Sequence, residues 1–155
     1  MTKEDRKWIN YYYDKYKEHS EVYGNKIVVL LQIGSFFECY GEEDSSGVIH
    51  NSNLADFARD ADLNIAIKDG NGGKYPRTVM AGFKASDVIL EKYSARLDSK
   101  GWSIAVYTQK PAGKGFTRSL DYITTPGTNF INENSTTDRN IIACWINHSK
   151  KYNKV

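Results

Sequence analysis

The segment Ile27-Val28-Val29-Leu30-Leu31-Gln32-Ile33 constrains this chain more than any other. It is short, apolar and β-branched, and lacks the polar alternation of a half-exposed strand. It therefore reads as a central strand buried on both faces. The neighbouring sequence supplies helices to cover it. Thr2 and Asp5 have the spacing of a capping box, and Glu4 adds negative charge to the first turn. Ile9, Tyr12, Tyr13 and Tyr16 then share one helical face, and Gly24 provides the stop. The tyrosines resemble a ladder for stacking on nucleobases, but a stripe packed on a sheet explains them more simply. Asn53 is placed to cap a second helix with Leu54, Phe57, Ala58 and Ala61 inward. Ser86 opens a third helix, with Ile89, Leu90, Tyr93 and Leu97 inward and a stop at Lys100-Gly101.

Further strands are predicted over residues 63–67, 78–83, 102–108 and 120–124. Lys68 to Arg77 and Gln109 to Arg118 read as two flexible basic loops, and Thr125-Pro126-Gly127-Thr128 as a turn. This order gives an α/β (α+β) domain: a mixed β-sheet of about five strands with helices packed on it. The domain is expected to occupy residues 1–128, followed by a polar linker over 129–140. Ile141 to Ile146 is an apolar run in a final piece, residues 141–155, with nothing after it to provide cover. An uncovered strand is an aggregation hazard, so this run is expected to begin a second, incomplete domain or to meet another chain.

Composition excludes several classes. At 155 residues, 40% hydrophobic and 26% charged, the chain suits one globular domain that needs neither disulfides nor metal. No apolar run approaches the roughly 18 residues of a membrane span. Glu4 and Asp5 argue against a transit peptide, so membrane and secreted readings drop out and an intracellular protein is expected. Cys39 and Cys144 lie far apart, and His19, His50 and His148 are scattered, so no zinc site is expected and both thiols read as reduced and buried. The net charge of +2 does not by itself announce a nucleic-acid binder.

Gly34-Ser35-Phe36-Phe37-Glu38-Cys39-Tyr40-Gly41 is where the sequence suggests chemistry. In an extended backbone Phe36 and Glu38 share one face and Phe37 takes the other. One face then offers a flat π-surface beside a carboxylate acceptor. Stacking on a base has an energy of roughly 1–3 kcal/mol whatever the base, and a phenylalanine wedge can unstack and kink a duplex step. A carboxylate there makes sense only against a base edge, since it repels phosphate. Read by pattern alone, both phenylalanines are core and Glu38 is a surface residue. The loop cations Lys68, Lys74, Arg77, Lys110, Lys114 and Arg118 read either as phosphate contacts or as solubilising charge.

The segment from Gly34 to Tyr40 resembles the Gly-x-Phe-Tyr-Glu-x-Phe motif of the MutS family of DNA mismatch-repair proteins. Val79-Met80-Ala81-Gly82-Phe83 is similar to that family's Pro-Met-Ala-Gly-Val strand. Ser103-Ile104-Ala105-Val106, Gln109, Lys114-Gly115 and Thr125-Pro126-Gly127-Thr128 recur in the family's order. The resemblance covers roughly residues 8 to 128 and implies the N-terminal mismatch-recognition domain. It also implies that residues 141–155 begin the connector domain. By this resemblance Phe36 inserts from the minor groove and stacks on a mispaired or unpaired base, Glu38 hydrogen-bonds that base, and the DNA is kinked. The implied partners are double-stranded DNA with mismatches or small insertion loops and the remainder of a MutS-type protein. ATP and magnesium are expected only in a distant C-terminal ATPase domain that nothing here matches, so no cofactor is expected in this chain.

The chain departs from the family pattern at Phe37 (Tyr), Val79 (Pro), Lys84 (Pro), Ser86-Asp87 (no His) and Lys110 (Asp), as a divergent member would. The Lys-, Asn- and Ile-rich composition is compatible with viral or organellar members. Two other readings stand beside this one. The first is a truncated fragment that acts through protein contacts at 141–146 or binds DNA non-specifically. The second is a metal-dependent nuclease built from Glu38, Glu42, Glu43, Asp44, Asp56, Asp60 and Asp62, although no histidine or lysine stands at a convincing spacing to those acids.

Overall fold

A computed structural model of the chain describes residues 2–113 and 115–126. Helix α1 runs over Lys3–Tyr23 and begins as expected. The Asp5 N–H donates to Thr2 Oγ1 at 3.1 Å and the Thr2 N–H returns to Asp5 Oδ2 at 2.9 Å. These bonds hold the Asp5 carboxyl below the ordinary range. Gly24, at φ 74°, closes the helix. Tyr12 is fully buried with Trp8 and Ile9, while Tyr13 and Tyr16 pack at the core's edge, so the tyrosine stripe is packing surface.

Strand β1, Ile27–Ile33, is the centre of the sheet, and each of its first five residues is at most 1% exposed. It pairs antiparallel with β2 (Phe36–Glu43) on one side and parallel with β6 (Ser103–Ala112) on the other. With β3 (Ile49–His50), β4 (Ala66–Asp69), β5 (Arg77–Lys84) and β7 (Gly115–Thr124), the sheet has seven strands. They run in the order β4-β5-β2-β1-β6-β7, with β3 beside β2. The mixed sheet of an α+β domain is as read from sequence, but the count of about five is corrected. The added strands are β2, whose chemistry drew attention away from its extended backbone, and the two-residue β3.

The helices cover both faces. Tyr40 meets Tyr12 of α1 edge-on at 5.3 Å, whereas Phe37 packs on Phe83, which stacks at 4.2 Å on Tyr93 of α3 (Asp87–Asp98). Phe37 and Tyr40 are three residues apart on one strand and so point to opposite faces. Helix α2 (Leu54–Ala61) buries all four expected residues beside α3. Asn53 precedes it but does not cap it. Its amide donates to the carbonyls of Asn25 and Ile27, both at 2.7 Å, tying the helix start to β1.

Two boundaries move for identifiable reasons. Asp62 takes the left-handed conformation at φ 61°, and the Leu63 N–H donates to the Ala58 carbonyl as part of the α2 ending, so β4 begins only at Ala66. The expected loop over residues 109–118 is instead a hairpin. The register of β6 and β7 continues to Ala112↔Gly115, and Gly113 turns at φ 57°. Lys114, residues 127–128 of the expected turn, the expected linker over 129–140 and the apolar run 141–146 with Cys144 and His148 lie outside the described residues.

Candidate nucleic-acid interface

The tight turn at Gly34-Ser35, with Gly34 at φ 58°, reverses the chain between Ile33 and its partner Phe36. Phe36 is thereby the first residue of β2, at the end of the sheet, and its ring is left half in water. Its relative exposure is 50%, against 4% for Phe37. Reading both phenylalanines as core and Glu38 as surface is therefore corrected at two of three positions. Phe37 is core, Phe36 is exposed, and Glu38 is buried at 6% exposure.

Burial of a carboxylate requires partners. Glu38 Oε2 accepts from the Tyr40 hydroxyl at 2.5 Å and from Lys68 Nζ at 2.7 Å. Tyr40 lies two residues along the same strand face, and burial with the adjacent carboxylate pushes its hydroxyl well above the ordinary tyrosine range. Lys68 comes from β4, across β5, and its ammonium also lies 5.8 Å from the centre of the Tyr40 ring. Gly82 stands opposite Glu38 in β5, where an added Cβ would run into the Phe37 carbonyl oxygen. The close approach of the two backbones here requires glycine.

The five loop cations among the described residues separate in the structure. Lys68 holds Glu38, and Arg77 Nε donates to Glu43 at 2.5 Å. Arg118, read from sequence as a flexible-loop cation, is buried on β7. Its Nε donates to the Gln32 carbonyl at 3.2 Å and its Nη2 to Gln109 Oε1 at 2.9 Å, with the guanidinium 3.7 Å from the Trp8 ring centre. Burial lowers its pKa. Lys74 is exposed, and Lys110 is about half exposed with Nζ 4.0 Å from Asp121. Sequence reasoning missed Tyr40 and Lys68 as partners of Glu38, and it missed Phe116, exposed near the hairpin tip opposite Pro111. Tyr40 was findable from strand alternation. Lys68 was not, because its proximity depends on the order of strands in the sheet.

The acidic residues disperse. Glu42 accepts from the Asn51 amide at 2.6 Å, Glu43 holds Arg77, and Asp44 bonds Ser46 and His50. Among the described residues no three His, Cys, Asp or Glu side chains gather to hold a metal ion. Cys39 is a buried free thiol, and burial raises its pKa well above the ordinary value. Also among the described residues, no helix is long and apolar enough to cross a membrane.

Comparison with known proteins places this arrangement. The family model for MutS domain I matches residues 11–133, and the chain belongs to that family. A DNA mismatch repair protein mutS homologue of Acanthamoeba polyphaga mimivirus is 26% identical over 121 residues, covering 76% of this chain and 10% of the relative. The DNA mismatch repair protein MutS of Microcystis aeruginosa is 30% identical over 131 residues, covering 80% of this chain and 13% of the relative. The chain thus spans only 10–13% of the length of these two relatives.

Proposed function

We propose that this chain recognises mismatched or unpaired bases in duplex DNA, with Phe36 as the wedge and Glu38 as the base-edge acceptor. In this reading it is the recognition domain of a MutS-type repair protein and carries no catalytic residue of its own. The observation that carries the reading is the half-exposed Phe36 ring beside a buried Phe37 and on the same strand face as Glu38. Leaving a large ring in water on a strand whose next five residues are buried has no folding benefit, whereas stacking on a base is worth about 1–3 kcal/mol. A mismatched step is already weakly stacked and easily deformed, so the wedge enters there at lower cost than in paired DNA. Discrimination then comes from deformability, and the acceptor adds a base-dependent term.

Lys74 and Lys110 are the exposed cations that this reading assigns to phosphates, and Lys114 is kept on its sequence position alone. Lys68, Arg77 and Arg118 already have partners within the protein and are not assigned to phosphate. The test is competition binding with matched and G·T-mismatched duplexes. Phe36→Ala is expected to remove the preference for the mismatch, and Phe36→Trp to retain it. A Phe36→Ala protein that is folded and still prefers the mismatch contradicts the reading.

A further inference from the structure

We infer that Gln109, together with Gln32 and Arg118, is a positioning residue for Phe36: these side chains hold the turn that carries the ring, and mismatch preference depends on them. The inference rests on the wedge reading above and names what keeps the wedge in place. The exposed half of the Phe36 ring has no packing to fix it, so its placement follows the backbone of Gly34 and Ser35. Water can satisfy the polar groups of a turn at an exposed strand end. Here the protein takes three of them itself. Gly34 N–H donates to Gln109 Oε1 at 3.1 Å, Gln32 Nε2 donates to the Gly34 carbonyl at 3.2 Å, and Ala85 N–H donates to the Ser35 carbonyl at 2.8 Å. The turn is thus tied to β6 on one side and to the residue after β5 on the other.

The two glutamines fix each other's orientation. Gln109 N–H donates to Gln32 Oε1 at 2.9 Å, which turns the Gln32 amide nitrogen toward Gly34. Arg118 Nη2 donates at 2.9 Å to the same Gln109 Oε1 that receives Gly34 N–H, so only an acceptor fits there. Arg118 Nε donates to the Gln32 carbonyl at 3.2 Å, and its buried guanidinium, 3.7 Å from the Trp8 ring centre, anchors the network on α1. A continuous set of contacts therefore runs from α1 through β7 and β6 to the turn before Phe36. In the wedge reading this has a consequence for binding. Entering a base step already costs unstacking, and a turn that must be ordered at the same moment adds to that cost. Fixing the backbone of one residue shifts an equilibrium by about fivefold to thirtyfold. Phosphate contacts with matched DNA do not use the wedge and carry no such cost.

The experiment uses the full chain with matched and G·T-mismatched duplexes and reads the ratio of the two affinities. Gln109→Ala removes the acceptor shared by Gly34 and Arg118. It is expected to lower the ratio about fivefold or more, through weaker binding of the mismatched duplex alone. Gln32→Ala, which frees the Gly34 carbonyl, is a second variant with the same expected loss. Gln109→Glu keeps an acceptor oxygen in place; its charge weakens both duplexes alike, and the ratio is expected to stay within about twofold of wild type. Amide exchange followed by NMR in the absence of DNA reports on the turn itself. Gly34 N–H is expected to exchange faster in Gln109→Ala than in wild type or Gln109→Glu, with the β1 core amides still protected. Faster exchange at Gly34 with an unchanged ratio would make Gln109 merely structural; it overturns the inference and leaves the wedge reading intact. Unchanged exchange at Gly34 overturns it as well. Absence of any mismatch preference in wild type removes the wedge reading, and this inference with it.

Discussion

Truncating two adjacent phenylalanines should have opposite consequences. Phe37 is 4% exposed and packs between β2, Phe83 and the α3 layer, so Phe37→Ala opens a cavity in the core. Phenylalanine-to-alanine changes at such sites cost about 3–5 kcal/mol. For a domain of this size, 1 kcal/mol corresponds to roughly 3–5 °C in Tm, so a fall of about 10–20 °C is expected. Phe36 is 50% exposed, and its removal exposes little that was dry. Its cost should be below about 1 kcal/mol, as for other surface substitutions, and the Tm should fall by less than about 5 °C. Circular dichroism melts and guanidinium titrations measure both, with an unchanged m-value showing that the comparison is between like states. A Phe36→Ala protein that melts as low as Phe37→Ala refutes the assignment of Phe36 to the surface. A reversed pattern would mean that Phe37, not Phe36, stands at the exposed start of β2.

Other perturbations test the surrounding structure. Replacing Lys74 and Lys110 together by alanine should weaken binding to matched and mismatched duplexes alike. Measured over a salt series, it should reduce the slope of log K against log salt by up to about 2, and no change in slope would remove both from the phosphate contacts. Asp60 accepts from Trp102 Nε1 at 2.9 Å and Lys26 Nζ at 3.0 Å, which depress its carboxyl far below the ordinary range. A depressed folded-state pKa means that this contribution is full above the unfolded value of about 3.9 and is lost as pH falls below it. Asp60→Asn should therefore lower the Tm at pH 7, with the gap to wild type narrowing below about pH 4. A constant gap would show that the pairing is not the cause. Gly82→Ala should destabilise by about 1–3 kcal/mol or more, because the new Cβ collides with the Phe37 carbonyl, and chemical denaturation will detect it.

What the sequence revealed depended on how local the determining forces were. The α1 capping box, the Gly24 stop and the buried stripe of α2 are set by residues within a few positions of one another, and they appear where the pattern places them. The apolar run of β1 identified the centre of the sheet because only a strand covered on both faces can be so uniformly apolar. Strand pairing is non-local and was less visible. The hairpin of β6 and β7 carries lysines, glycines and a proline that read as a loop, yet its register holds from Ile104↔Thr124 to Ala112↔Gly115. Arg118 looked like a loop cation for the same reason, and only the position of Trp8 on α1 shows why it is buried. At the candidate site, alternation put Phe36 and Phe37 on opposite faces, but the exposure of Phe36 comes from its place at the start of β2, since Glu38 and Tyr40 on its own face are buried. The burial of Glu38 followed from Lys68 on β4, two strands away, which no spacing within β2 can indicate.

The most direct test is fluorescence-anisotropy binding of the chain to a matched duplex and to the same duplex with one unpaired thymine, each at low and moderate salt. Phosphate contacts weaken steeply as salt rises, whereas base stacking and a hydrogen bond to the base do so far less. The expected result is tighter binding of the thymine-bulged duplex, with a ratio to matched DNA that persists as salt is raised. Equal affinity for both duplexes, falling in parallel with salt, would mean that the chain touches phosphate only and would contradict the wedge at Phe36.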